Sequence, residues 1–97
     1  MSERDDVLAT LRRALPELRR HWPIRSLAVF GSMARGEAGA DSDLDVLVEF
    51  EEPIGLSSFL GLEDRLTVIT GRRVELVSRQ ALKPYIGRQV LREAVPV

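Results

Sequence analysis

Gly31-Ser32-Met33-Ala34-Arg35-Gly36-Glu37-Ala38-Gly39-Ala40-Asp41-Ser42-Asp43-Leu44-Asp45-Val46-Leu47-Val48 is the stretch on which the reading of this chain turns. It opens with a small-residue turn directly after the apolar run Leu27-Ala28-Val29-Phe30. It closes with two carboxylates, one residue apart, at the head of a second apolar run. Ten residues separate Ser32 from Asp43, enough for a short helix or turn and a loop. The segment Ser32–Arg35 favours one or two helical turns closed by Gly36, and residues 38–42 read as loop by composition. From Asp43 to Phe50 the chain alternates. Leu44, Val46, Val48 and Phe50 take one face, while Asp43, Asp45, Leu47 and Glu49 take the other.

Outward from this centre, the elements follow from periodicity and punctuation. Residues 2–20 predict a helix. Ser2 is placed to cap it, Glu3, Asp5 and Asp6 sit in its first turn, and Val7, Leu8, Leu11, Ala14, Leu15 and Leu18 form one stripe. Pro16 either kinks or ends that helix. Arg25–Phe30 predicts a strand. Leu56–Thr70 predicts a second long helix ending at Gly71, and Arg73–Val77 a third strand with Val74 and Leu76 on one face and Glu75 on the other. Ser78 offers a cap to a turn. Pro84 starts a last helix, with Tyr85, Ile86, Gln89, Val90 and Ala94 or Val95 expected along one side. The order predicts a single α/β (α+β) domain over residues 1–97, a small mixed sheet of three to four strands with helices mainly on one face.

The other face is where chemistry is expected. Residues i and i+2 of a strand project to one side with Cα atoms about 6.5–7 Å apart, so Asp43 and Asp45 can converge on one or two magnesium ions. Magnesium takes one or two protein carboxylates and leaves places for water and phosphate. If the apolar faces of the two strands join one core, Glu75 lies with the aspartates, either bridging to the metals or serving as general base for a hydroxyl. It can equally be a surface residue paired with Arg73 or Arg79. Gly31 lets the backbone turn sharply, and Ser32 offers a hydroxyl and an amide to phosphate oxygens. Arg35 lies one turn on, in reach of phosphate or the acidic site. A nucleoside triphosphate with magnesium asks for both halves of the motif.

Composition excludes several classes. The chain has no cysteine, hence no disulfide scaffold, thiolate metal site or cysteine nucleophile. Its start is too charged for a signal peptide and no run spans a membrane, so a cytoplasmic location is expected. A net charge of −1 argues against direct binding of polynucleotides. The charge is unevenly spread, with acids and no Lys or Arg between residues 37 and 64 and a basic excess after residue 72. An acidic middle suits a cation and a basic end suits triphosphate or an acidic partner; a solvated surface explains both as well. His21 has no second His or Cys beside which to ligate a metal.

Gly31-Ser32, ten residues, Asp43-Leu44-Asp45 and a later strand-borne acid together resemble the nucleotidyltransferase superfamily that includes DNA polymerase beta. Gly31 to Ala38 with Ser42 to Val48 is similar, more narrowly, to the minimal nucleotidyltransferases (MNT proteins), over nearly the whole chain. The resemblance implies magnesium-dependent transfer of AMP from ATP to a hydroxyl, with two metal ions. Asp43, Asp45 and Glu75 would be the catalytic and metal-binding carboxylates, and Gly31, Ser32 and Arg35 would hold the nucleotide. Most members have Asp at the third position, and Glu is one methylene longer. The resemblance also implies an antitoxin whose partner is a HEPN-domain toxin, modified by AMPylation on a tyrosine. Two alternatives stand beside this: an antitoxin that works by binding alone, and the catalytic subunit of a small-molecule nucleotidyltransferase. The short chain leaves little beyond the sheet to hold an acceptor, so a homo- or hetero-oligomer is expected to supply it.

Overall fold

The computed structural model describes residues 2–39 and 41–97. Helix α1 spans Glu3–His21, with the Ser2 hydroxyl accepting the Asp5 N–H at 3.1 Å and three basic residues closing the last turn. Both ends therefore complement the helix dipole, the first of them as the sequence predicts. Pro16 neither ends nor divides the helix. It lies on the exposed side, where the carbonyl it leaves unpaired meets water, while Leu11 and Leu18 are fully buried on either side of it and hold the segment to the core.

Strand β1 (Ile24–Phe30) leads into the single-turn helix α2 (Gly31–Ala34), and strand β2 (Leu44–Phe50) into helix α3 (Leu56–Thr70), which ends at Gly71 in a left-handed conformation as predicted. Strand β3 (Val74–Ser78) is followed by a 3-10 turn (Arg79–Ala81), helix α4 (Pro84–Glu93) and a two-residue strand β4 (Val95–Pro96). The sheet order is β3-β2-β1-β4, with β1 antiparallel to β2 and β4, and β2 parallel to β3. The sheet is thus mixed and four-stranded. Loop residue Ala40 lies outside the described residues.

The core has one side. Leu44, Val46, Val48 and Phe50 of β2, Val74 and Leu76 of β3, and Leu27 and Val29 of β1 are buried against Leu11 and Leu18 of α1 and Leu62 and Leu66 of α3. Removing each such leucine from water contributes about 1.5–3 kcal/mol. The outer edge of β3 is sealed by α3: the Leu76 N–H donates to Glu63 Oε2 at 2.8 Å and the Val74 N–H to Thr67 Oγ1 at 3.2 Å. Backbone donors that would otherwise invite a further strand are thereby filled.

Three expectations are corrected at the C-terminal end. Helix α4 stops at Glu93, and Val95 extends instead, pairing with Val29. Only part of the stripe expected along α4 is covered: Tyr85, Ile86 and Gln89 are exposed, whereas Val90 and Ala94 are half-buried and Gly87, which the stripe did not include, is buried. Gly87 faces Leu82, and a methyl placed there would meet it at ordinary van der Waals distance. The Ser78 hydroxyl donates to Gln80 Oε1 at 2.9 Å and caps no backbone donor.

Candidate active site

The register of the parallel pair decides what the sequence left open. Asp45 is the direct Cα partner of Glu75, and on its other side of Phe30. Strand pleating then puts the Asp45 and Glu75 side chains on the face opposite the core. Asp43 lies one residue ahead of β2, half-buried, at the end of the loop. Glu75 is exposed and is not taken up by Arg79, which instead pairs with Glu49 at 2.9 Å.

Gly31 stands against this carboxylate pair. Its φ is +72°, and a Cβ built there would collide with the Asp45 carboxylate. Position 31 therefore demands glycine twice, once for the backbone turn and once for the close approach. Ser32 follows, half-buried, at the start of α2. The structure thus brings Gly31, Ser32, Asp43, Asp45 and Glu75 to one end of the sheet.

Arg35 takes a role that the sequence does not reveal. Its Nε donates to Glu37 at 3.0 Å and its Nη1 to Glu93 at 3.1 Å. It ties α2 to the end of α4, and its charge reaches Asp45 only as a minor influence. Glu93 is 58 residues away in the chain, so no local signal announces the pair. Two further supports also escape sequence reading. Ser42 Oγ accepts the Gly39 N–H at 2.9 Å, and Arg72 donates to the Gly39 carbonyl at 3.3 Å while pairing with Glu3 at 2.9 Å. These bonds fix the loop that delivers Asp43. Asp41 is exposed.

The electrostatics fit a cation. Burial raises the Asp45 carboxyl to about 6, helped by a hydrogen bond and the charge of Glu75 and by the charge of Asp43, with Arg35 pulling weakly the other way. Asp43, Asp45 and Glu75 each offer hard carboxylate oxygens, which is what magnesium takes. Among the described residues, no group of three or more His, Cys, Asp or Glu side chains is already gathered in metal-holding geometry. Two protein carboxylates are the usual complement for magnesium when phosphate and water supply the rest.

Comparison with known proteins agrees with this geometry. The family model of the nucleotidyltransferase domain matches residues 11–97. The protein adenylyltransferase MntA of Thermococcus cleftensis is 44% identical over 93 residues, covering 96% of this chain and 94% of that protein. A solved structure provisionally named a minimal nucleotidyltransferase superposes with a TM-score of 0.82 at 43% identity, covering 100% of this chain and 97% of the other. A chain from the Shewanella oneidensis complex of a tri-AMPylated HEPN toxin with its MNT antitoxin shares the fold, with a TM-score of 0.70 at 18% identity over 93% of this chain and 70% of that one. With its sheet, its glycine-serine turn and its facing carboxylates so matched, the chain belongs to the nucleotidyltransferase domain family, among the minimal nucleotidyltransferases.

Proposed function

We propose that this protein transfers AMP from ATP to a hydroxyl of a partner HEPN toxin, a tyrosine by preference, and acts thereby as an antitoxin. The observation that carries the reading is the pairing of Asp45 with Glu75 beneath Gly31. It is supported by the 44% identity to a protein adenylyltransferase and by the shared fold with an MNT antitoxin bound to an AMPylated toxin.

Asp43 and Asp45, with Glu75 beside them, would hold magnesium, which when bound neutralises phosphate charge and polarises the α-phosphorus. Gly31 and Ser32 would cradle the triphosphate, the glycine by leaving room beside the Asp45 carboxylate. Glu75, exposed on β3, would take the proton of the incoming hydroxyl. The hydroxyl oxygen forms a bond to the α-phosphorus, and the bond from that phosphorus to the bridging oxygen of the β-phosphate breaks. Pyrophosphate leaves with that electron pair, and the proton ends on the Glu75 carboxylate.

Incubation with the partner toxin, magnesium and α-labelled ATP tests this reading. Label should pass to the toxin with the wild type and not with Asp43→Ala/Asp45→Ala. Transfer that survives the double substitution overturns it.

A further inference from the structure

Down the sheet from the carboxylate pair lies a cleft of about 240 Å³. Asp45, Leu47 and Glu49 project to the same side of β2, and at about 3.3 Å per residue the Glu49 backbone lies roughly 13 Å from that of Asp45. Leu47 pairs with Ala28 across the strands, and together they floor the cleft. Leu91 of α4 and Ala94, just after its end, form its wall, and Glu49 and Arg79 also line it.

We propose that this cleft receives the nucleobase of the triphosphate, and that Glu49 accepts a hydrogen bond from the base's exocyclic amino group. The proposal rests on the nucleotidyl-transfer reading given above and adds to it the site that selects the nucleotide.

Four observations support it. The cleft is smaller than the roughly 300 Å³ at which pockets for drug-sized ligands begin, so it suits one planar ring system. Its floor and wall are apolar, and Leu91 overhangs them while still 44% exposed, an apolar surface left uncovered by the chain itself. It borders β1, the strand that leads directly into Gly31-Ser32, whereas Glu75 lies on the opposite flank. The cleft is therefore on the nucleotide's side of the site and away from the acceptor's. Finally, Glu49 has an oxygen to spare. Its Oε2 is taken by Arg79 at 2.9 Å with Arg25 at 4.0 Å, while its Oε1 has only the Ser26 hydroxyl at 3.5 Å. An amino group entering the cleft would meet that second oxygen. Within this arrangement Arg35 is a positioning residue, since its bond to Glu93 holds the α4 wall against α2.

The test measures equilibrium binding of three magnesium complexes to the full chain: ATP, purine riboside triphosphate (hydrogen in place of the amino group) and tripolyphosphate. The wild type should bind ATP about tenfold more tightly than purine riboside triphosphate, a hydrogen bond's worth of affinity. Ala94→Phe, which fills the cleft, should weaken ATP tenfold or more while leaving tripolyphosphate within twofold. Glu49→Ala should bring ATP down to the affinity of purine riboside triphosphate. If Ala94→Phe does not fold, Leu91→Trp narrows the same cleft from a half-exposed position and carries the same expectation. Variants that melt as folded proteins and bind ATP like the wild type overturn the proposal and leave the transfer reading intact. Failure of the wild type to bind either ATP or tripolyphosphate overturns both.

Discussion

A methyl group at position 31 would enter the space that the Asp45 carboxylate occupies, on a backbone whose φ of +72° already disfavours any side chain. Gly31→Ala should therefore cost about 1–3 kcal/mol of stability and displace Asp45, abolishing AMP transfer. Gly36 is the control. It has a φ of +73°, and a methyl added there would meet nothing within 4 Å, so Gly36→Ala should cost about 1 kcal/mol and leave transfer largely unchanged. Urea unfolding of the two variants beside transfer assays separates backbone strain from collision. Glu75 makes the second residue-level prediction. Glu75→Gln keeps the shape but cannot take a proton, and should lower the transfer rate on the order of 10²-fold, well beyond any weakening of ATP binding. A steady-state rate within twofold of the wild type would remove Glu75 from the chemistry. At this scale the sequence is informative because glycine, serine and alternate aspartates have few reasons to coincide. It puts Arg35 in reach of phosphate or the acidic site and does not show that its guanidinium lies between Glu37 and Glu93. Which of several acids an arginine meets depends on three-dimensional neighbours that local spacing does not encode.

Among the elements, those with a strong period were legible. Helix α3 has the bounds that its apolar pattern and Gly71 predict, and β2 buries the face that alternation assigns to the core. Helix α4 was legible in its start at Pro84 but not in its end or its orientation. Its apolar residues gather on one side, yet Gly87 is buried while Tyr85 and Ile86 stay exposed, because the side a helix turns inward is set by its neighbours in the fold. The two residues of β4 carry no period at all, and only the open edge of β1 makes them a strand. The opposite edge supplies an element-scale prediction. Glu63 reaches from α3 to the Leu76 N–H, so Glu63→Ala leaves a part-buried backbone donor without its partner. The variant should lose about 1–2 kcal/mol and expose β3 to faster amide exchange at Leu76. It should also associate more readily at high concentration, because an unfilled strand edge is a template for pairing. Exchange at Leu76 no faster than in the wild type would mean that solvent, not Glu63, satisfies that edge.

For the molecule as a whole, the register of β2 against β3 converts the site's charges into a term in global stability. Asp45 titrates at about 6 in the fold, above the ordinary carboxylate range it has when unfolded. A group raised in this way stabilises the fold when protonated: its contribution is complete below the unfolded value and is lost as pH climbs through about 6. Because the carboxyl is only half-buried and screened by solvent, the loss is on the order of 1 kcal/mol. In metal-free protein, then, Asp45→Asn should match the wild type near pH 4 and exceed it above pH 7 by about that amount. For a chain of this length the excess amounts to several degrees in Tm. Magnesium with ATP should reverse the order at pH 8, because the charged carboxylate that weakens the empty fold is what binds the cation, and a ligand that binds only the native state raises its Tm. Melting curves of both proteins across pH 4–8, with chelator and then with magnesium and ATP, check each limb. Two outcomes would contradict this account: an Asp45→Asn protein no more stable than the wild type at pH 8 in chelator, or one that still gains stability from magnesium and ATP. In either case Asp45 would be an ordinary surface acid, and the acidic middle of the chain a solvated face rather than a seat for a cation.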